Sequence, residues 1–270
     1  MRVVLIGDVN GRAGRQAVQS CLPRLIAERP IDFAVANVEN AADGFGVTPD
    51  LAEQILACGI DCLTSGNHIW DKPEVIDYLP TQPRLLRPLN YPEGTPGVGV
   101  YLGETPGGVP VAVINLMGRV FMPPCDNPFE VIDKKLEAIR ARARIILVDM
   151  HAEATSEKSA MGWHLAGRVS AVVGTHTHVQ TADETILPGG TAYITDLGMC
   201  GPYDSVIGIE KELALKKFRT GLPVRFSIAK RDARVCGVVV EIDETTGQSR
   251  SIERIQLRPA AVDGGRRADA

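Results

Sequence analysis

Seven residues able to hold a cation through oxygen or nitrogen recur at one kind of place in this chain, directly behind a short apolar run. Asp8 follows Val3-Val4-Leu5-Ile6-Gly7, and Glu39 and Asn40 follow Phe33-Ala34-Val35-Ala36 after Asn37-Val38. Asn67 comes after Cys62-Leu63-Thr64-Ser65-Gly66, and His151 after Ile145-Ile146-Leu147-Val148 with Asp149-Met150 between. His176 and His178 come after Ala171-Val172-Val173-Gly174. Carboxylate, amide oxygen and imidazole without thiolate suit manganese, iron, cobalt or zinc, whereas magnesium and calcium are poor matches to three imidazoles. Seven donors exceed what one such ion accepts, so the set points to two. Ions ~3.5–4 Å apart share a bridging carboxylate and clamp the attacking and leaving oxygens of an in-line displacement. Two divalent ions, two carboxylates and a bridging hydroxide leave one net positive charge, which suits an anionic phosphoester. Neutral asparagine ligands preserve that charge. The chemistry expected is two-metal hydrolysis.

Such donors need elements that bring them together. Runs of four to six β-branched and aliphatic residues ended by Gly or Asn suit strands buried on both faces. In open α/β sheets, ligands bind beyond the carboxyl ends of such strands. A helical pattern covers about Arg12 to Glu28, and Thr48-Pro49-Asp50 opens a second helix that Gly59 closes. A strand over Asp61–Ser65 follows. Gly97–Leu102 and Val109–Leu116 read as antiparallel strands joined by Thr105-Pro106-Gly107-Gly108. Residues 129–142 have a helical period, the next strand covers 144–149 and leads into His151, and 234–242 with 249–257 form a hairpin around Thr245-Thr246-Gly247. A parallel half joined without a break to a more antiparallel half predicts one α/β domain over 1–258. Its expected form is two mixed sheets with helices outside. Residues 259–270 are small and polar and are expected to form a disordered tail.

Composition narrows the function. At 270 residues with 44% hydrophobic and 23% charged content, the chain is an ordinary globular protein with ample length for a core. A net charge of −4 argues against a broad basic face for nucleic acid, so no extended nucleic acid is expected. Six dispersed cysteines without a CxxC pair read as free thiols of a reducing cytosol. The N-terminal strand leads straight into Gly7-Asp8, unlike a signal peptide, and no apolar stretch approaches 18 residues, so no membrane contact and a cytoplasmic location are expected.

Gly66-Asn67-His68 and Gly174-Thr175-His176-Thr177-His178 resemble the GNH and GxHxH blocks of calcineurin-like metallophosphoesterases. Asp8 stands where that superfamily has its D-x-H block, with Asn10 replacing the histidine, and Asn37-Val38-Glu39-Asn40 stands where a bridging aspartate is usual. These departures, with Asp149-Met150-His151-Ala152-Glu153, resemble the YmdB-like branch over nearly the whole chain. The resemblance implies a four-layer αββα sandwich and a bridging Glu39. It places Asp8, Asn40 and His178 at one metal and Asn67, His151 and His176 at the other. His68 would protonate the leaving alkoxide as general acid. It further implies two divalent or mixed-valence transition-metal ions, iron favoured and manganese possible, and phosphodiesterase action on cyclic nucleotides, 2′,3′-cyclic ones favoured. A phosphomonoesterase or nucleotidase on the same site is the alternative enzyme, and a nucleotide-binding regulatory module with incidental turnover the alternative class. Oligomeric state stays open, a homo-oligomer included.

Other residues invite plainer readings. His164 follows no strand and reads as an ordinary helical residue. The Gly7–Gly14 stretch matches neither GxGxxG nor a P-loop and reads as a strand-to-helix turn, with Arg12 and Arg15 expected to be solvated and reach to a phosphate from the helix start as the alternative. The segment Ala154–Lys158 lies just behind His151 and offers polar groups to a substrate, so alanine at Thr155 or Lys158 is expected to raise KM.

Overall fold

A computed structural model describes residues 1–260 of the chain. The tail expected from residue 259 onward therefore falls, from residue 261, outside the described residues.

The described strands are β1 (Arg2–Ile6), β2 (Asp8–Val9), β3 (Phe33–Asn37), β4 (Cys62–Thr64), β5 (Val100–Glu104), β6 (Pro110–Met117), β7 (Ile145–His151), β8 (Ala171–Thr175), β9 (Thr185–Leu187), β10 (Thr191–Ile194), β11 (Met199–Pro202), β12 (Ala233–Ile242) and β13 (Ser249–Leu257). The helices are α1 (Gly11–Glu28), α2 (Pro49–Leu56), α3 (Glu74–Tyr78), α4 (Pro128–Arg140), α5 (Thr155–Leu165) and α6 (Lys211–Thr220). Local chemistry sets several of these bounds. Thr48 Oγ1 accepts from the Leu51 N–H to cap α2, with Pro49 at its first position. Asn127 caps α4 in the same way through Phe129 N–H.

One sheet has the order β2-β11-β12-β1-β3-β4 with β13 added on β12, and the other has β5-β6-β7-β8-β10-β9. The alternation of side chains along each strand produces the layers. Val4 and Ile6 pack outward with α1 residues Val18 and Leu22, while Val3 and Leu5 point inward to meet Val111, Val113, Ile145 and Leu147 of the other sheet. Ile146 and Val148 turn away from that interface to pack with Ile132, Leu136 and Met161 of α4 and α5. Three apolar layers between four layers of structure make the αββα sandwich that was expected.

The second half is more parallel than its sequence pattern indicates. β6, β7, β8 and β10 run parallel, and only the flanking β5 and β9 are antiparallel. The reason is that α4 and α5 act as crossover helices between β6, β7 and β8, a connection that returns each strand in the same direction. As a result β1, β3 and β4 in one sheet and β7 and β8 in the other open their carboxyl ends toward one rim. No helix among the described residues is long and apolar enough to cross a membrane.

Candidate functional site

All eight residues singled out for chemistry lie at that rim. Asp8, Glu39, Asn40 and His151 are buried, and His176 is 20% exposed. His151 Nε2 stands 3.1 Å from Glu39 Oε1, 3.0 Å from Asn67 Oδ1 and 3.1 Å from His176 Nδ1. Across the rim, His178 Nε2 stands 3.2 Å from Asn40 Oδ1. Asp8 lies against the same loop, both carboxylate oxygens 3.2–3.3 Å from the His176 N–H. The His68 N–H donates to Glu39 Oε2 at 3.0 Å. Gly66 is what permits this proximity, since a Cβ there would overlap the His151 ring and press on Glu39 Oε2.

The hydrogen bonds behind the rings fix which nitrogens are bare. Thr175 Oγ1 donates its only proton to Asp149 Oδ1 at 2.7 Å, so the His151 Nδ1 at 2.9 Å must be the N–H that donates to Thr175. His151 Nε2 then carries a lone pair. His178 Nδ1 lies 2.9 Å from the Ile207 carbonyl, an acceptor, so its Nε2 is bare as well. His176 presents Nε2 to the Glu153 carboxylate at 3.1 Å, which leaves Nδ1 bare. Asn40 spends its Nδ2 on the Gly44 carbonyl at 2.9 Å and turns Oδ1 to His178.

Acceptors therefore face acceptors at both places, and Glu39 Oε1 is buried with no hydrogen-bond donor. Lone pairs converging without a proton between them call for a cation or a bridging donor, and the all-acceptor set of oxygen and imidazole nitrogen suits a metal ion. Four buried carboxylates (Asp8, Glu39, Asp149 and Asp196) share one buried ammonium, Lys158, among the described residues. The donor set fits a metal, and Glu39, His151 and His176 alone place three ligand atoms within 4.8 Å of one another.

Electrostatics agree with that reading. Burial pushes the Asp8 carboxyl well above its usual range, reinforced by Asp196, Glu39 and Asp149. His151 is pulled down to about 4, chiefly by burial, and burial lowers His178 too. The imidazoles are thereby kept neutral, as ligation requires. His176 and His178 both hold positive φ, 95° and 64°, a strained backbone concentrated on the two candidate ligands.

Several groups that position the site were not assigned that part from the sequence. Asp149 joins the sheets, accepting from Thr175 of β8, Thr64 of β4 and Asn37 Nδ2 at 3.2 Å. Burial pushes its carboxyl up to about 6 against the pull of those donors. Asn115 clamps the Ser65 backbone through both amide atoms, at 3.0 and 3.1 Å, and so sets the Gly66-Asn67-His68 turn. Asn10 is buried with Oδ1 unpartnered and lines the same cleft.

Thr175→Val keeps the shape of β8 but leaves Asp149 Oδ1 and the His151 N–H without that partner. It should destabilise the protein by about 1–3 kcal/mol, read as a lower urea midpoint, with Thr175→Ser restoring it. An unchanged midpoint would overturn the tautomer assigned to His151.

Two expectations need correction. Lys158 is 1% exposed, its Nζ 2.7 Å from Asp196 Oδ2, so it braces the His176–His178 loop and is not presented to a substrate. Its spacing in α5 turns it inward beneath the loop, while Thr155 stays at the helix start. Arg15 turns in to donate to the Ala41 carbonyl, so it is not simply solvated. His164, as expected, is a helical residue, paired with Asp133 at 3.1 Å. All six cysteines are free.

The whole chain has clear relatives. It is 49% identical over 257 residues to a protein of Bacillus subtilis named 2′,3′-cyclic-nucleotide 2′-phosphodiesterase, covering 95% of this chain and 97% of that one. It is 35% identical over 264 residues to a putative phosphatase/phosphodiesterase of Mycoplasma genitalium, covering 95% and 93%. Among solved structures, one described as a novel phosphatase from Mycoplasma pneumoniae superposes with a TM-score of 0.90 at 34% identity, over 96% of this chain and 93% of that one. A hypothetical protein from Thermus thermophilus superposes with a TM-score of 0.89 at 43% identity, over 96% of this chain and all of that one. The YmdB-like protein family matches residues 4–255, and the chain belongs to it.

Proposed function

We propose that the protein is a metal-dependent phosphodiesterase acting on cyclic nucleotides, 2′,3′-cyclic ones above all. The observation that carries the reading is the convergence of bare acceptors from His151, His176, Asn67 and Glu39 at one place and from His178 and Asn40 at another. Asp8 and Glu39 would complete a ligand set for two ions, with Glu39 serving both. Three imidazoles with oxygen donors and no thiolate favour iron, with manganese as the other candidate. When bound, a pair of such ions supplies Lewis-acid activation of water and of the phosphoryl group.

The remaining chemistry belongs to the chain. His68 Nδ1 lies 2.7 Å from Asp71 Oδ2, which takes the Nδ1–H and fixes the ring edge-on to Phe45. With Nδ1–H held by Asp71, the proton delivered to the ribose oxygen as the P–O bond breaks is a second one, carried on Nε2 of the imidazolium, which the Asp71 carboxylate supports. A cleft of about 280 Å³ lies over the centre, walled on one side by Phe45, Ile207, Ile209 and Ile228, an apolar face suited to a nucleoside. No lysine or arginine lines it among the described residues. A monoester dianion needs additional cationic groups, so this lining favours a diester monoanion.

The test is elemental analysis of the purified protein with a screen of 2′,3′-cyclic, 3′,5′-cyclic and monoester substrates. Two metals per chain and a preference for the 2′,3′-cyclic diester are expected. His68→Ala should keep both metals yet lose about 10²–10⁴-fold on the cyclic nucleotide, within the range of general acid catalysis. It should lose far less on an aryl diester, whose leaving group needs no proton. Equal losses would remove His68 from the acid role.

A further inference from the structure

Beside the catalytic cleft lies a larger hollow, of about 720 Å³, and the two share Phe45 and Ile228 in their walls. Its chemistry differs from that of the cleft. Arg12, Arg225 and Lys230 line it against a single carboxylate, Asp43, a local positive excess in a chain of net charge −4. Phe45, 43% exposed, and Phe226 contribute aromatic surface, and Lys217 Nζ sits 5.8 Å from the Phe226 ring centre. Cations beside aromatic rings, here the exposed Phe45 and the half-buried Phe226, are the composition that holds single-stranded nucleic acid, the cations meeting phosphates and the rings stacking bases.

Resting on the phosphodiesterase reading above, we propose that this hollow binds the nucleotide preceding a terminal 2′,3′-cyclic phosphate. The substrate is then the 3′ end of a short RNA strand, with its last ribose in the catalytic cleft. Cyclic phosphates of this kind form when a 2′-hydroxyl attacks the neighbouring 3′ phosphodiester and expels the next nucleotide. The reaction class that supplies this substrate is therefore RNA strand cleavage by transesterification, and the first carrier of its product is an RNA end. Hydrolysis adds one water, breaks one ring P–O bond and leaves a terminal monoester, the proton passing to the released ribose oxygen. The net negative charge elsewhere confines the contact to one or two nucleotides, since like charge repels a longer polyanion.

The experiment compares a cyclic mononucleotide with a trinucleotide ending in the same 2′,3′-cyclic phosphate. The trinucleotide should have a kcat/KM about tenfold higher, as one added stacking and phosphate contact gives, and the advantage should shrink as salt rises. The double variant Arg225→Ala/Lys230→Ala, on exposed residues outside the catalytic cleft, should abolish the advantage and leave mononucleotide turnover unchanged. Equal use of both substrates by the wild type, or equal losses in the variant, would overturn the proposal. A binding readout separates it from the reading beneath it. Fluorescence anisotropy of a labelled trinucleotide 3′-phosphate on chelated protein should show binding that the double variant loses. Binding of that kind without any hydrolysis would sink the phosphodiesterase reading and keep the subsite. Hydrolysis of the mononucleotide without such binding would do the reverse.

Discussion

Glu39→Gln should lower turnover by on the order of 10³-fold while raising the thermal midpoint of the chelated protein. The two effects share one cause. In the metal-free chain, Glu39 Oε1 is buried, lacks a donor, and faces the bare Nε2 of His151 at 3.1 Å. Glutamine offers N–H groups to that nitrogen and to the nearby Asn67 oxygen, and it removes a charge from a region already holding Asp8, Asp149 and Asp196. Satisfying a buried polar atom recovers about 1–3 kcal/mol. Loss of the carboxylate proposed to be shared by the two metals acts in the other direction once metal is supplied. Wild-type protein should gain about 4 kcal/mol at a thousandfold excess of metal over its dissociation constant, and the variant much less. The rate loss corresponds to about 4 kcal/mol of transition-state stabilisation, within the several kcal/mol a cation contributes as Lewis acid. Calorimetry with and without chelator, elemental analysis and turnover together decide the matter. A variant that keeps both metals, or one less stable than wild type in chelator, would remove Glu39 from the bridging role.

The difference between Glu39 and the groups behind it shows what can be read from sequence alone. That Glu39, Asn67, His151, His176 and His178 meet at one rim was legible because each follows an apolar run of strand length. A buried parallel strand announces its own carboxyl end. The Thr48-Pro49 start of α2 and the β12–β13 hairpin were legible for a similar reason, since caps and turns are encoded within a few residues. Thr175, Asp149 and the Ile207 carbonyl were not, because what they do depends on a partner far along the chain, His178 and Ile207 lying 29 residues apart. β10 and β11 escaped too. Thr191–Ile194 and Met199–Pro202 are short and mixed in composition, and they become strands because Ala171–Thr175 and Asp8–Val9 offer them free edges. The hollow lined by Arg225 and Lys230 comes from a segment after α6 with little regular structure, where periodicity carries no information.

Lys158 is the sharpest case of a residue whose spacing misleads, and its replacement should have the largest effect on stability. The helical residues on either side of it, Thr155, Ser156, Glu157, Ser159 and Ala160, face solvent or half face it, yet Lys158 is 1% exposed and meets Asp196 Oδ2 at 2.7 Å. Asp196 in turn accepts from the Thr177 N–H at 3.2 Å and from the Gly198 N–H at 2.7 Å, so the ion pair anchors the turn between His176 and His178. Lys158→Met keeps most of the volume and strands the Asp196 charge. Breaking a buried pair from one side costs roughly 3–5 kcal/mol. For a chain of this length that lowers the midpoint by on the order of 10 °C. Turnover should fall as well, since both histidines hold a backbone conformation that a loosened loop relaxes. The double variant Lys158→Met/Asp196→Asn distinguishes the two roles. Removing the second charge should recover much of the lost midpoint, because no ion is then buried alone. It should not recover turnover, because a neutral amide cannot accept from the Thr177 N–H, the Thr177 hydroxyl and the Gly198 N–H with the strength of a carboxylate. Recovery of both properties together would show that the pair serves stability alone, and recovery of neither would show that Asp196 braces the loop without needing Lys158.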